Sequence, residues 1–336
     1  MEAERIDRAR RRPTAVDVAR LSGVSRATVS YVLNDVANQT ISEATKQRVR
    51  AAAAELGYSP SAVAAALRRG HSNIVLVVRD AALSGYITEP FLDAISARLR
   101  EAGYSPLVHT LADEATLVEL AEAIHPFGVV ALARLTRDVS LQLRASGVKR
   151  QYHSISLDSD ASPRPWEEEI GALQATHLVG AGVARLAYAH PEPHSARAEI
   201  AASRALGARR AAARAGLPEL LELTVPTRRT EALDAVRPLL TVSETERIGV
   251  CAFDDTTAAA VLAAATDSGV AVPGALAVVG VDDTPFAALM SPALSSVAVD
   301  SVASGRDVAE RFLSQDDQPA TSRRSTPARI VRRLTS

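Results

Sequence analysis

Residues 16–34 read VDVARLSGVSRATVSYVLN. Two short runs of helix-forming residues flank Gly23, and the second run places Ser25, Arg26, Ala27, Thr28, Ser30 and Tyr31 on a face predicted to be exposed. Glycine suits a tight turn because it tolerates backbone angles that strain other residues. Two helices joined in this way, the second presenting small polar side chains around one arginine, follow the order of a helix-turn-helix. In that motif the first helix braces on a nucleic-acid backbone and the second reaches base edges.

The neighbouring residues extend this pattern. SEATKQRVRAAAAELG is predicted as a third helix with Ser42 as N-cap and Gly57 as stop, and SAVAAALRRG as a short fourth after the turn Tyr58-Ser59-Pro60. The fourth is too short to be stable alone, so it reads as a conditional hinge. Charge supports a polyanionic partner. Residues 1–73 hold 12 Lys and Arg against 7 Asp and Glu, a balance of +5, and the remaining 26 against 32 give −6. A basic head on an acidic body suits phosphate neutralisation, whereas Arg5 to Arg12 alone could be a merely solvated tail.

From residue 74 short β-rich runs alternate with helical ones. IVLVV, SPLVHT, GVVALA and QYHSISL precede a break at SDASPRP; VARLAYA, LLELTV, RIGVCAF and ALAVVGV follow it. Such alternation predicts two parallel sheets covered on both faces, hence two α/β subdomains with a cleft beyond the strand ends. Arg79-Asp80, Asp254-Asp255 and Asp282-Asp283 are the strand-end candidates for that cleft.

Composition limits the alternatives. Hydrophobic residues are 47% of the 336 and aromatics 4%, so a soluble core of Ala, Val, Leu and Ile is expected. No apolar run reaches about 18 residues and MEAERIDRARRR lacks the apolar stretch of a secretory signal, which predicts a cytoplasmic protein without a membrane partner. The single cysteine, Cys251, lies in RIGVCAF and reads as a small buried hydrophobe. No cofactor or metal is expected, because two prolines in His190-Pro-Glu-Pro-His194 favour a loop over a preset site. Gly180 to Gly182 is too weak a signal for a nucleotide loop. Adjacent aspartates at a strand end point apart, so acid–base catalysis is not expected and the chain is read as no enzyme.

VDVARLSGVSRATVSYVLN, then TISEATKQRV, then AAAELGYSPSAVAAALRRG resemble, in order and spacing, the headpiece of LacI-type (lactose/galactose repressor) transcription regulators. In the body, EEEIGALQATHLVGAGVARLAYA, SRALGARRAAARAGL and CAFDDTTAAAVLAAATDSGVAVPGALAVVGVDDTPFAALMSPALSSV are similar to that family's effector-domain segments. The resemblance implies an all-α helix-turn-helix headpiece (1–60) and a hinge helix with linker (61–72). An α/β body of tandem doubly wound, periplasmic-binding-protein-like subdomains (73–336) follows. The N-subdomain is expected at about 73–157 plus 286–318 and the C-subdomain at about 158–285 plus 319–336. It further implies a repressor that binds a palindromic double-stranded DNA operator as a homodimer, under control of a small-molecule effector such as a sugar.

Residue by residue, the resemblance implies that Thr14, Ser25, Ser30, Asn34 and Thr45 hold phosphates, which sets register, with Thr28 also among the DNA-binding residues. Arg26 and Ala27 would open the recognition helix, Arg26 by forking onto a guanine. Leu67 matches the leucine wedged into the minor groove, with Val63 and Ala64 beside it. Effector contacts fall to Arg79, Asp80, Phe91, Arg204, Asp254, Asp255 and Asp282; Asp283 is read as a strand-end cap or a structural salt bridge. The chain also departs from the family. Tyr31 stands where arginine is usual, Glu89 where asparagine is common, Glu167-Glu168 for Asp-Asn, Ala208 for an aromatic, Phe253-Asp254 for Ala-Asn, and Ser301 for a pocket aromatic. Fewer stacking rings weaken the case for a standard sugar, leaving a non-sugar ligand or a protein co-effector as alternatives. An exported solute-binding protein would have no use for the head.

Overall fold

The computed structural model describes residues 13–33, 40–58, 70–81, 85–154, 165–193, 195–243, 245–314 and 328–336. The chain divides into two units, Met1–Ser72 and Asn73–Ser336.

The first unit holds α1 (Ala15–Ser22), α2 (Arg26–Leu33) and α3 (Glu43–Glu55). Asp17 starts α1 by accepting from the Thr14 N–H at 2.9 Å and its hydroxyl at 2.7 Å. Gly23, at φ 69°, ends the helix in the left-handed region that only glycine adopts cheaply. Ser25 then caps α2, accepting from Thr28 N at 3.0 Å, and Ser42 caps α3 through Thr45 N at 3.3 Å. Val18, Val29, Val32 and Val49 form a small interior, closed by Ala52 and Ala53. Asn34 and the hinge residues Val63, Ala64 and Leu67 lie outside the described residues.

The second unit contains two sheets. In the first, β1 (Ile74–Asp80), β2 (Ser105–Leu111), β3 (Gly128–Ala131) and β4 (Arg150–His153) pair in the order β2-β1-β3-β4, all parallel. Val75 to Val78 are fully buried in succession, as a strand covered on both faces requires. One face is covered by α4 (Thr88–Glu101), the other by α5 (Glu114–Ile124) and α6 (Arg137–Ala145).

The second sheet follows α7 (Pro165–Gly180). It comprises β5 (Arg185–His190), β6 (Leu221–Thr224), β7 (Ile248–Ala252), β8 (Leu276–Val281), β9 (Ser295–Val299) and β10 (Ala328–Val331), in the order β10-β9-β8-β7-β5-β6. All neighbours are parallel except β9 and β10. Helices α7 and α8 (Ser195–Arg214) cover one face, α9 (Arg229–Ser243) and α10 (Asp255–Asp267) the other. Where α7 meets α8 the approach is very close. A Cβ on Gly171 would overlap the Arg204 carbonyl, and one on Gly207 the Glu168 carbonyl.

The alternation of runs predicts the first eight strands, and the structure adds β9, β10 and α11 (Ser301–Ser314). It also corrects the expected boundary near 286. Residues 295–299 pair with β8, Val279 opposite Ser295, and so belong with the second sheet. Only α11 crosses back to the first sheet, where Gly305 packs on Phe91 and Ala94 of α4 and Phe312 lies over Gly128. Arg150 anchors this return by donating to the Phe312 and Leu313 carbonyls, both at 2.8 Å.

Candidate nucleic-acid interface and ligand cleft

On α2, Val29 and Val32 turn inward while Ser25, Arg26, Ala27 and Tyr31 are exposed. Ala27 and Tyr31 are four residues apart, hence on one face, with Arg26 beside them in the first turn. The Ser25 and Thr28 hydroxyls bond each other at 2.9 Å, which fixes the start of the helix. Thr45 lies in the first turn of α3, its hydroxyl 3.0 Å from that of Ser42, and Thr14 and Ser30 are half-buried. Helix α2 thus presents Arg26 as its one cation, on a helix braced by the valine interior.

In the body, Arg134 lies just beyond β3 and Glu199 on α8. The Arg134 Nε donates to Glu199 Oε1 at 2.9 Å and its second contact is 2.8 Å. This bridge ties the carboxyl end of the first sheet to the helix that follows β5 of the second, and open α/β sheets take ligands beyond such strand ends. At the end of β1, Arg79 donates to Thr110 Oγ1 at 3.1 Å and lies 3.5 Å from Glu89; Asp80 next to it is half-buried.

The second sheet contributes a denser cluster. Arg204, 5% exposed, donates from Nε to Glu167 Oε2 at 2.6 Å and from Nη1 to the Phe253 carbonyl at 2.5 Å. Burial works against its charge, but the Glu167 carboxylate, with Tyr188 and Asp282, offsets this and holds the guanidinium above its usual value. Arg197, seven residues earlier on α8, donates to Asp254 Oδ2 at 2.7 Å. The guanidinium carbons of both arginines lie 5.0 Å from the Phe253 ring centre.

Three expected effector residues have other tasks here. Asp255 is buried, accepting from Thr284 N and Oγ1 at 2.7 Å each and from Ser296 Oγ at 2.5 Å, and so fastens the β8–β9 connection instead of lining the cleft. Desolvation raises its carboxyl against those bonds. Phe91 packs into the α4–α11 contact, which gives it a core position. Asp254 caps α10 through Thr257 N at 2.7 Å while holding Arg197. Asp283 pairs with Arg333 at 2.7 Å, the structural salt bridge expected of it. Cys251 is buried as expected, which pushes its thiol up. His190 meets Glu222 at 2.9 Å, and Glu222 also binds Arg209, which ties β5, β6 and α8 together.

Asp282 directly follows the carboxyl end of β8. It is partly exposed, and its carboxyl, surrounded by protein, is pushed up to about 7 by desolvation, with Arg204 opposing and Asp254, Asp255 and Glu167 reinforcing. A carboxyl raised above its unfolded value, near 3.8, binds more protons in the folded state between the two. Its contribution to stability therefore falls as pH rises through that window. Asp282→Asn is expected to flatten the decline, read as the change in urea midpoint between about pH 5 and about pH 8; an unchanged slope would count against it.

Sequence reasoning noted Glu167 only as a departure and missed Arg197, Arg134 and Glu199. The seven-residue spacing of Arg197 and Arg204, two helical turns on one face, was the available signal for the first. Contacts between distant elements supplied none for the others.

A family described as bacterial regulatory proteins, lacI family, matches residues 14–61, and a periplasmic binding protein-like domain matches residues 175–336. The HTH-type transcriptional regulator GntR of Pseudomonas aeruginosa is 33% identical over 315 residues, covering 90% of this chain and 89% of that protein. The ribose operon repressor of Escherichia coli is 29% identical over 296 residues, 84% of this chain and 87% of that one. In fold, the lac repressor dimer solved with operator and an anti-inducer aligns over 97% of this chain and 99% of that one, with a TM-score of 0.77 at 24% identity. No helix among the described residues is long and apolar enough to cross a membrane. With the headpiece, the paired sheets and the relative that is one-third identical over nearly its whole length, the chain belongs to the LacI family of DNA-binding transcriptional regulators.

Proposed function

We propose that this regulator acts in the cytoplasm as a repressor, binding a twofold-symmetric operator as a homodimer while a small molecule in the cleft of the body alters its grip on DNA. The headpiece is assigned to 1–60, the hinge helix and linker to 61–72, and effector binding and dimerisation to 73–336. Repression and dimeric operator binding are carried over from proteins named as a ribose operon repressor and a lac repressor dimer bound to operator. The observation that carries the reading is the exposed face of Arg26, Ala27 and Tyr31 on a helix whose other side is the valine interior. Catalysis has no part in it: Asp254 and Asp255 are engaged in capping and in fastening a turn.

Within this reading Arg26 forks onto a guanine, Tyr31 alters the contact that arginine makes in relatives, and Thr14, Ser25, Ser30 and Thr45 hold phosphates, with Thr28 beside them at the DNA interface. Arg204 and Asp282 serve the cleft, with Arg79 and Asp80 across from them. Binding-site selection with the full-length chain tests the whole. A symmetric consensus is expected, and Arg26→Ala is expected to lose about 1–3 kcal/mol of discrimination at one symmetric pair of positions. An asymmetric consensus, or one unchanged in Arg26→Ala, would refute the assignment.

A second reading keeps DNA binding and replaces the sugar by another ligand or by a protein co-effector. What favours it is Phe253, whose ring is flanked by two guanidinium groups and does not lie open for stacking on a sugar face.

A further inference from the structure

Asp282 has an unusual combination of properties. Its φ is 100° and that of Asp283 is 46°, so two successive non-glycine residues occupy the left-handed side at the end of β8. Such backbone costs of order 1–3 kcal/mol per residue and persists where its surroundings hold it. They do hold it: Asp282 N donates to the Val297 carbonyl at 2.9 Å, and Asp283 is fixed by Arg333 at 2.7 Å and by Ser296 at 3.0 Å. The strained turn presents a carboxylate that has no hydrogen-bond partner among the described residues.

The charges around it do not complete its coordination. Arg204 reaches towards it from α8, but that guanidinium is already matched by Glu167 of α7. Arg197 is matched by Asp254, and Asp254 and Asp255 on the β7–α10 side add negative charge. Two fully buried atoms in the Arg204 neighbourhood also lack partners, the Glu167 Oε1, which can only accept while ionised, and the Tyr188 hydroxyl. What this cluster lacks is a donor bearing positive charge. An ammonium group brings three donors and no acceptor. With two guanidinium groups against the Phe253 ring and the residue only 6% exposed, recognition falls to charge and hydrogen bonding in place of stacking.

We propose that the effector of this cleft carries a protonated amine and that the Asp282 carboxylate receives it. This rests on the reading of the cleft as an effector site. Because desolvation raises Asp282, an amine bound near neutral pH would also expel a proton from it.

The test is calorimetric titration of the full-length protein with D-glucosamine and putrescine, set against D-glucose, D-gluconate and butane-1,4-diol. An amine is expected to bind about tenfold more tightly than its neutral counterpart. Proton release should appear as a difference between buffers of unlike ionisation enthalpy, and Asp282→Asn should weaken the amine about thirtyfold. Equal or tighter binding of the neutral or acidic compounds, or an amine affinity untouched by Asp282→Asn, overturns the amine assignment and leaves the effector cleft standing. Heat from none of the five overturns both.

Discussion

Glu167→Ala is expected to destabilise the body by about 3–5 kcal/mol, the cost of removing one partner from a buried ion pair. Glu167 is fully buried and Arg204 is 5% exposed, so no solvent replaces the lost carboxylate. The remaining guanidinium would keep its Phe253 carbonyl bond, the nearby Phe253 ring and the attraction of Asp282. The pair itself is a weak source of stability, since both ions give up water to form it and Glu167 Oε1 stays without a partner. Glu167→Ala combined with Arg204→Met should therefore recover most of the loss. Trp166, the single tryptophan and the neighbour of Glu167 on α7, reports the transition in denaturant. A loss below about 1 kcal/mol in Glu167→Ala would mean that water reaches Arg204 after all.

Gly171→Ala should cost about 3 kcal/mol, the upper end of the overpacking range. The obstacle is the Arg204 carbonyl in the body of α8, which cannot rotate aside as a side chain can. Gly207 makes the reciprocal approach to the Glu168 carbonyl, so the helices would have to separate at both points and carry Arg204 away from Glu167. Gly180→Ala is the internal comparison. It lies at the end of the same helix with nothing within 4 Å of the added carbon, and is expected to be neutral or slightly stabilising. Equal effects of the two substitutions would show that the crossing relaxes.

The headpiece was legible in sequence because its determinants are local: a cap at Ser42, and Gly23 where a left-handed turn is required. The first eight strands were legible for a similar reason, each being a β-rich run bracketed by helical ones. Strand β9 was not, since its place is set by pairing with β8 across a segment full of turn residues. Four-residue β10 pairs with β9 and carries no pattern of its own. Among site residues, chemistry was easier to read than direction. Asp254 and Asp255 look alike in sequence, yet one caps the start of α10 and the other points into the protein beneath Thr284. The partners of Arg204 and Arg134 are 37 and 65 residues away, a distance over which no periodicity carries information.

The Arg134–Glu199 bridge also sets how readily the cleft responds. Its side chains are 36% and 34% exposed, so water and salt reach both charges and the tie contributes no more than about 1 kcal/mol. Differential binding of the size usual in allosteric proteins, about 1–3 kcal/mol, exceeds that. Added electrolyte would weaken the tie as well as the grip of a basic headpiece on phosphate. The protein is thus sensitive to ionic conditions at two separate places, one in its contact with DNA and one in the posture of its body.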